Sequence, residues 1–357
     1  MQAMIITRYI SRQILQTTLA VALVLLVVVA VGRLLNYLSQ ASQGLVDPNL
    51  LLEVMFYRVP GFLQFILPMA LLLGILLALG KLYADSEMTV LIATGMSPVR
   101  LLSIIAVSAV IMMALVAWLC LQLAPRGSHK VSDMLEVQQN LNEFDLLSPG
   151  IFQNITGGQR TTYAETIVEG EGHDVFMHDA TNNRVIKADS AVPVKQEDGS
   201  RFVLFKHGSI TAGFDPKGNF DLTEFEELYV RLPPRNLGIA PDVEEKTLST
   251  EELIEGGTPA FLAELQWRLS FILSVPVLSL LAIPLARVSP RQGRFARFVP
   301  GTLLYLAYLG LLMLSRNAIA SGKLPQAVGL WWVHAIFFTL ALLMFMGVLP
   351  LRRQARD

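Results

Sequence analysis

Three long uncharged apolar segments precede Arg126 and three follow Arg268, and the stretch between them is polar and patterned for strands. The six are Gln13–Gly32, Val59–Gly80, Leu101–Pro125, Leu269–Ala286, Phe298–Ser315 and Leu324–Leu351. A helix rises about 1.5 Å per residue and a hydrocarbon core is about 30 Å thick, so each segment has the length to cross it. The expected fold class is a multi-pass α-helical membrane protein of six transmembrane helices with an inserted domain outside the bilayer.

The net charge of -1 hides two environments. Arg126 to Arg268 holds 13 basic and 24 acidic residues, whereas the rest holds 15 basic and 5 acidic. Outside the insert, one set of loops carries eleven basic residues: Arg8, Arg12, Lys81, Arg100, Arg287, Arg291, Arg294, Arg297, Arg352, Arg353 and Arg356. The opposite short loops carry four, Arg33, Arg58, Arg316 and Lys323. The positive-inside rule therefore puts both termini in the cytoplasm and the insert outside. The first segment is longer than a signal-peptide core and has no small-x-small site before Arg33, so it reads as a retained helix. Cys120, the only cysteine, lies within the third span, which leaves the insert to be held by its own core.

The insert reads as β from about Gly150 to Val230. Thr161–Val168, Val175–His178, Arg184–Val194, Arg201–Lys206 and Ser209–Phe214 are rich in β-branched and aromatic residues. Turn signals separate them at Gly157-Gly158, Gly170–Gly172, Asn182-Asn183, Asp198-Gly199, His207-Gly208 and Pro216–Gly218, a spacing that suits an antiparallel sandwich or open barrel. The inward face is either Phe202 with Leu204 or Val203 with Phe205, depending on register. Val131–Phe144 reads as a polar helix continuing the third span. Ser249 and Glu252 form a capping box for a short helix ending at Gly256-Gly257, and Thr258-Pro259 restarts a helix into the fourth span.

Signs of catalysis are sparse. Gly74–Lys81 has the wrong spacing for a phosphate loop, Leu82 where Ser or Thr is needed, and an apolar setting. His173 and His178, five apart on a strand, point to opposite faces and do not share a metal. His334, inside the sixth span, reads as a packed, hydrogen-bonded residue rather than a proton carrier. Neither a metal site, a cofactor nor a nucleic-acid-binding feature is expected in this chain.

Two polar features remain. Between spans two and three runs LGKLYADSEMTVLIATGMSPVR, Leu79 to Arg100. Asp85 or Ser86 can cap a short helix there whose first turn carries Glu87, with Met88, Leu91 and Ile92 as an apolar stripe, ended by Gly95 and Ser97-Pro98. Such a helix either docks into a partner or lies on its neighbours as a connector. On the other side, Arg33, Arg58, Arg316 and Lys323 suit lipid headgroups or ordinary snorkelling at helix ends.

Taken together, the chain resembles the LptF/LptG family of lipopolysaccharide export permeases. The resemblance rests on M-I-I-x-R-Y at Met4–Tyr9, I-L-P at Ile66–Pro68, L-G-K-L-Y at Leu79–Tyr83 followed by Ser86-Glu87, L-x-W-R at Leu265–Arg268 and P-R-Q-G-R at Pro290–Arg294. It implies three parts: residues 1–125 with three spans and a cytoplasmic coupling helix at about 84–96, residues 126–258 as a periplasmic β-jellyroll with helical connectors, and residues 259–357 with three more spans. It further implies a Gram-negative inner-membrane subunit that pairs with an LptG-like permease. An LptB-like ATPase dimer, which binds ATP and Mg, would drive it, and an LptC-like jellyroll would receive lipopolysaccharide from it. In that reading Glu87, with Asp85, Met88 and Leu91, couples the spans to the ATPase, and the jellyroll interior takes the acyl chains. Arg33 and Arg316 face lipid phosphates. Asn36 stands where the family has a second basic residue on the first span.

Other classes fit less well. A secondary transporter would carry paired ionisable groups at mid-membrane, where only His334 titrates. A periplasmic scaffold anchored in the membrane would make the helix around Glu87 dispensable, and an enzyme lacks a nucleophile–base or metal constellation.

Overall fold

The computed structural model describes residues 2–42, 50–140, 149–155, 160–168, 170–195, 201–213, 220–231, 244–287, 293 and 295–347. They divide into two compact units, one drawn from Met1–Val31, Tyr57–Lys130 and Asp242–Asp357, the other from Gly32–Phe56 and Val131–Pro241.

The helices are α1 (Gln2–Ser42), α2 (Leu51–Ala84), α3 (Glu87–Ala93), α4 (Pro98–Trp118), α5 (Ala124–Asn140), α6 (Glu244–Thr247), α7 (Thr250–Gly256), α8 (Pro259–Leu285), α9 (Phe298–Ala320) and α10 (Trp331–Phe345). Five segments are apolar and long enough to cross a membrane: α1, α2, α4 continued through α5, α8 and α9. The sixth apolar helix, α10, is 15 residues and begins later than Leu324, because Gly322 and Gly329 take positive φ and the intervening residues form turns. As expected, the third span runs on into a polar helix, here to Asn140. Pro290–Gln292, Arg294 and Arg352–Asp357 lie outside the described residues, as do the turn signals at Gly157-Gly158, Asp198-Gly199 and Pro216–Gly218.

The helical core is a continuous apolar cluster with a few buried polar side chains, some bonded within their own helix, as Ser274 is to the Phe271 carbonyl, and others tying helices together. Gly74 of α2 lies against the Thr18 backbone of α1 with no room for a Cβ. Tyr305 of α9 donates to the Phe65 carbonyl at 2.6 Å. His334 of α10 pairs through Nδ1 with the Tyr308 hydroxyl of α9 and through Nε2 with the Ser270 hydroxyl of α8 at 2.9 Å, the packed role expected for it. The connectors also follow expectation. Ser249 and Glu252 make a reciprocal capping box, Gly257 takes φ 60° after α7, and Thr258 accepts from the Phe261 amide with Pro259 opening α8.

Among the described residues the insert forms one antiparallel sheet in which each strand pairs with its sequence neighbours: β1 (Gln153–Ile155), β2 (Arg160–Val168), β3 (Glu171–Asp179), β4 (Arg184–Lys195), β5 (Arg201–Ala212) and β6 (Asp221–Arg231). The all-β insert is as expected, and its connectivity is that of a meander. The His207-Gly208 signal does not end a strand. It marks a bend within the continuous β5.

That bend belongs to a row that runs from β2 to β6. The ladders skip the positions that set Glu165 opposite Asp174, Asp174 opposite Asp189, Asp189 opposite His207 and His207 opposite Glu226. All five side chains are exposed, and Asp174 and His207 take φ of 49° and 50°. Directly opposed like charges disfavour a flat ladder, and turning them outward bends it. In every strand crossed, the buried parity switches at this line. Ile186 and Ala188 give way to Ala191 in β4, and Ile210 gives way to Phe205 and Val203 in β5. The core cluster takes Val203 and Phe205, both fully buried; Leu204 is also buried, at 9% exposure, but lies outside that cluster, and Phe202 is half-buried. Gly208 fits here because a Cβ would run into the Lys187 carbonyl and the Phe225 ring.

Asp179 closes one end of the sheet. It accepts from the Thr181 and Asn182 amides, the Asn182 side chain and Arg184, and pairs with Arg160 at 3.7 Å. Arg160 also donates to the Arg231 carbonyl at 3.5 Å, so β2 reaches β6. Burial pushes the Asp179 carboxyl up, but the Asn182 hydrogen bonds and the two guanidinium charges outweigh it and hold the carboxyl below its ordinary value. Its stabilisation is then complete above the unfolded pKa of about 3.9 and fades as pH falls through the lower folded value. Asp179→Ala should cost the insert about 2–3 kcal/mol at neutral pH, with the deficit shrinking in acid. Hydrogen exchange of β3 and β4 in the full chain measures this, and equal protection in both proteins would contradict it.

Candidate functional site

Three places carry polar chemistry near the spans. The first is α3, which follows α2 after two residues. Ser86 occupies its N-cap position at φ 62°, a left-handed conformation that reverses the chain, and its side chain makes no capping bond. Asp85 continues the preceding turn, with its amide bonded to the Lys81 carbonyl. Neither residue caps the helix through its side chain as expected. The expected stripe is divided as well. Met88 is 1% exposed and Leu91 packs on the helical core, whereas Ile92 is exposed together with Val90 and Glu87. At about 100° per residue, two anchors on one side leave the opposite side of a seven-residue helix outward. Met88 and Leu91 thus fix α3 to the bundle, Val90 faces away from it, and Glu87, one turn before Leu91, is exposed at the edge of that contact.

Glu87 is bonded nonetheless. The Tyr9 hydroxyl of α1 donates to its Oε2 at 3.2 Å, joining the two sequence motifs Met4–Tyr9 and Ser86-Glu87 in space. Tyr9 had no role assigned from sequence beyond that motif. Gly95, at φ 93°, ends α3, and Ser97 caps α4 by accepting from the Arg100 amide at 3.2 Å.

The second place is Arg33 on α1. It is exposed, among the exposed apolar residues Val31, Leu34, Leu35 and Leu38, a cation set in a surface suited to hydrocarbon.

The third was not anticipated as a cluster. Glu264 and Arg268, one turn apart on α8, form a buried ion pair at 3.2 Å, and Arg316 of α9 reaches the same carboxylate at 2.6 Å. Arg268 continues to Thr250 and to the backbone carbonyls of Glu245, Lys246 and Leu248, the last at 2.9 Å. Thr250 in turn donates to the Leu121 carbonyl at 3.2 Å. That carbonyl lies in Leu119–Leu123, the single π-helical turn between α4 and α5, where the wider spacing releases backbone acceptors. The Arg316 guanidinium lies 5.1 Å from the centre of the Trp267 ring. Arg316, expected from sequence as a lipid-phosphate ligand, thus already holds an internal carboxylate. The signal for this cluster was legible as an i,i+4 charge pair inside the first turns of an apolar span.

Long apolar helices before and after an inserted β sheet in the chain, with an exposed short helix between the second and third spans, define a multi-pass membrane protein. Residues 8–347 match the family described as lipopolysaccharide export system permease LptF/LptG. The chain is 30% identical to the lipopolysaccharide export system permease protein LptF of Escherichia coli strain K12, over 98% of this chain and 97% of that protein. The Shigella flexneri protein of the same name matches equally. The chain belongs to the LptF/LptG family of lipopolysaccharide export permeases.

Removing the hub of the cluster tests its structural part. Arg268→Gln should free the Glu245–Leu248 carbonyls, speed amide exchange across α6 and α7, and cost about 3 kcal/mol as a broken buried pair. Unchanged exchange there would show that the clamp is dispensable.

Proposed function

We propose that this lipopolysaccharide export permease subunit works as one half of a membrane channel, next to an LptG-like permease in a Gram-negative inner membrane. Both termini are cytoplasmic and the β insert periplasmic, a reading supported by the eleven-to-four distribution of basic residues. ATP and Mg are bound by a separate LptB-like ATPase dimer, and this chain contributes no catalytic residue.

The observation that carries the reading is the exposed Glu87 on a helix anchored by Met88 and Leu91 and tied to α1 by Tyr9. A short helix fixed on one side and open on the other passes force between whatever binds its open side and the spans beneath it. Glu87 and Val90 offer a carboxylate beside an apolar contact to the ATPase groove. Tyr9 extends the path to α1, the helix that bears Arg33.

Lipopolysaccharide enters sideways from the outer leaflet, its acyl chains against apolar helix faces and its phosphates at Arg33 and Arg316. Moving acyl chains out of lipid forfeits roughly 0.8 kcal/mol per CH₂ unless another apolar surface receives them. The β insert supplies that surface, with Val203 and Phe205 on its inner side. An LptC-like jellyroll takes the lipid onward.

Glu87→Ala should leave the transporter inserted and hydrolysing ATP while release of lipopolysaccharide from proteoliposomes falls about tenfold, the size of a typical coupling energy. Tyr9→Phe should reproduce part of that loss. Normal release by Glu87→Ala would refute the coupling role. Arg33→Glu should weaken photocrosslinking of lipopolysaccharide to α1 by about tenfold without loss of complex assembly, as expected for reversing a charge that meets phosphate. Crosslinking at the wild-type level would remove Arg33 from the path.

A further inference from the structure

Two guanidiniums share one carboxylate near the N-terminal end of α8, and the two are held very differently. The Arg268 side chain is 3% exposed and bonded to Glu264, Thr250 and three backbone carbonyls. Those bonds fix it in place. The Arg316 side chain is 21% exposed and meets Glu264 through one nitrogen, with its guanidinium carbon over the Trp267 ring. An anion arriving from outside therefore meets Arg316 and not Arg268.

Glu264 itself is 7% exposed and spans both cations, with Oε1 to Arg268 and Oε2 to Arg316 at 2.6 Å. It can give up its second contact and keep its first. One carboxylate between two guanidiniums leaves positive charge in excess, which favours an incoming anion. The carboxylate also opposes that anion with its own charge, and does so strongly in a low-dielectric setting.

We infer that Glu264 is a specificity-determining residue: it acts as a built-in competitor at Arg316 that admits phosphomonoesters and turns away the phosphodiester headgroups of ordinary phospholipids. The inference rests on the reading of Arg316 as a lipid-phosphate ligand. A phosphodiester carries a single negative charge, no more than the carboxylate it would displace. A phosphomonoester carries about -1.5 to -2 at neutral pH on three acceptor oxygens, enough to take Arg316 from Glu264 and to use the excess positive charge. The bilayer around the permease is made of diesters, so a site with Arg316 alone would stay filled with bulk lipid. The competing carboxylate raises the threshold so that only the doubly charged headgroup crosses it.

The test uses the purified full-length transporter in nanodiscs, with bound lipid counted by native mass spectrometry. Three probes are compared: lipopolysaccharide, the same lipopolysaccharide stripped of its lipid A phosphates, and phosphatidylglycerol. Glu264→Gln should raise phosphatidylglycerol occupancy about tenfold, the equivalent of losing one charge-assisted competitor, with lipopolysaccharide bound at least as well as before. Glu264→Asp, which keeps the charge for Arg268 but withdraws it from Arg316, should fall between the two. If Glu264→Gln fails to assemble, the aspartate variant is read by the same ratio. Arg316→Gln should abolish the preference for phosphorylated over stripped lipopolysaccharide. If it does not, Arg316 is no phosphate ligand and the inference falls with that reading. If Arg316→Gln loses the preference while both Glu264 variants keep the wild-type ratio of lipopolysaccharide to phosphatidylglycerol, the inference alone is overturned.

Discussion

A guanidinium as buried as that of Arg268 is tolerable only with its donors occupied, and the way they are occupied organises one end of the helical unit. Burying an ion costs several kcal/mol unless charge and hydrogen bonds compensate it. Here the compensation comes from Glu264 on the same helix and from carbonyls of the segment that follows the β insert. α8 packs on α4, α9 and α10 and is the most deeply buried of the long apolar helices. Anchoring the connector to α8 therefore anchors it to the most deeply buried of these helices. The π turn between α4 and α5 joins the same network through Thr250, so the two chain segments that run between spans and insert are tied to one cluster.

The opposite end of the helical unit is built on another balance. Met88 and Leu91 hold α3 by apolar contact alone, while its polar tie, Tyr9 to Glu87, lies on the exposed side. Apolar anchoring tolerates rocking in a way that a saturated ion cluster does not. The helical unit thus has a saturated ion cluster at one end and an apolar seat for α3 at the other. In the other unit, among the described residues, one row of outward charges bends the sheet so that it encloses an apolar side of its own.

Much of this was legible in the chain. Apolar length placed the spans, because few alternatives bury an uncharged run of 18 or more residues. The capping box at Ser249 and Glu252 and the restart at Thr258-Pro259 were legible because caps are local chemistry. The path of β5 was misread because a glycine after a left-handed residue marks a sharp bend as readily as a chain reversal, and only cross-strand register separates the two. The inner face was undecidable for a related reason, since parity switches along each strand. Glu264, Arg268 and Arg316 were each visible, but 52 residues separate Glu264 from Arg316, and no local pattern says that α8 and α9 bring them together. The burial of Met88 likewise depends on the helices beneath it, so a stripe read from spacing alone merged its anchor with the exposed Ile92.

The most direct measurement is to extract the tagged full-length chain gently from its native membrane and identify what accompanies it in stoichiometric amount. A soluble ATPase at two copies, together with one second six-span permease, is the result this account predicts. Recovery of the chain without any ATPase, under conditions that preserve its fold, would contradict it and leave α3 as a connector with no force to transmit.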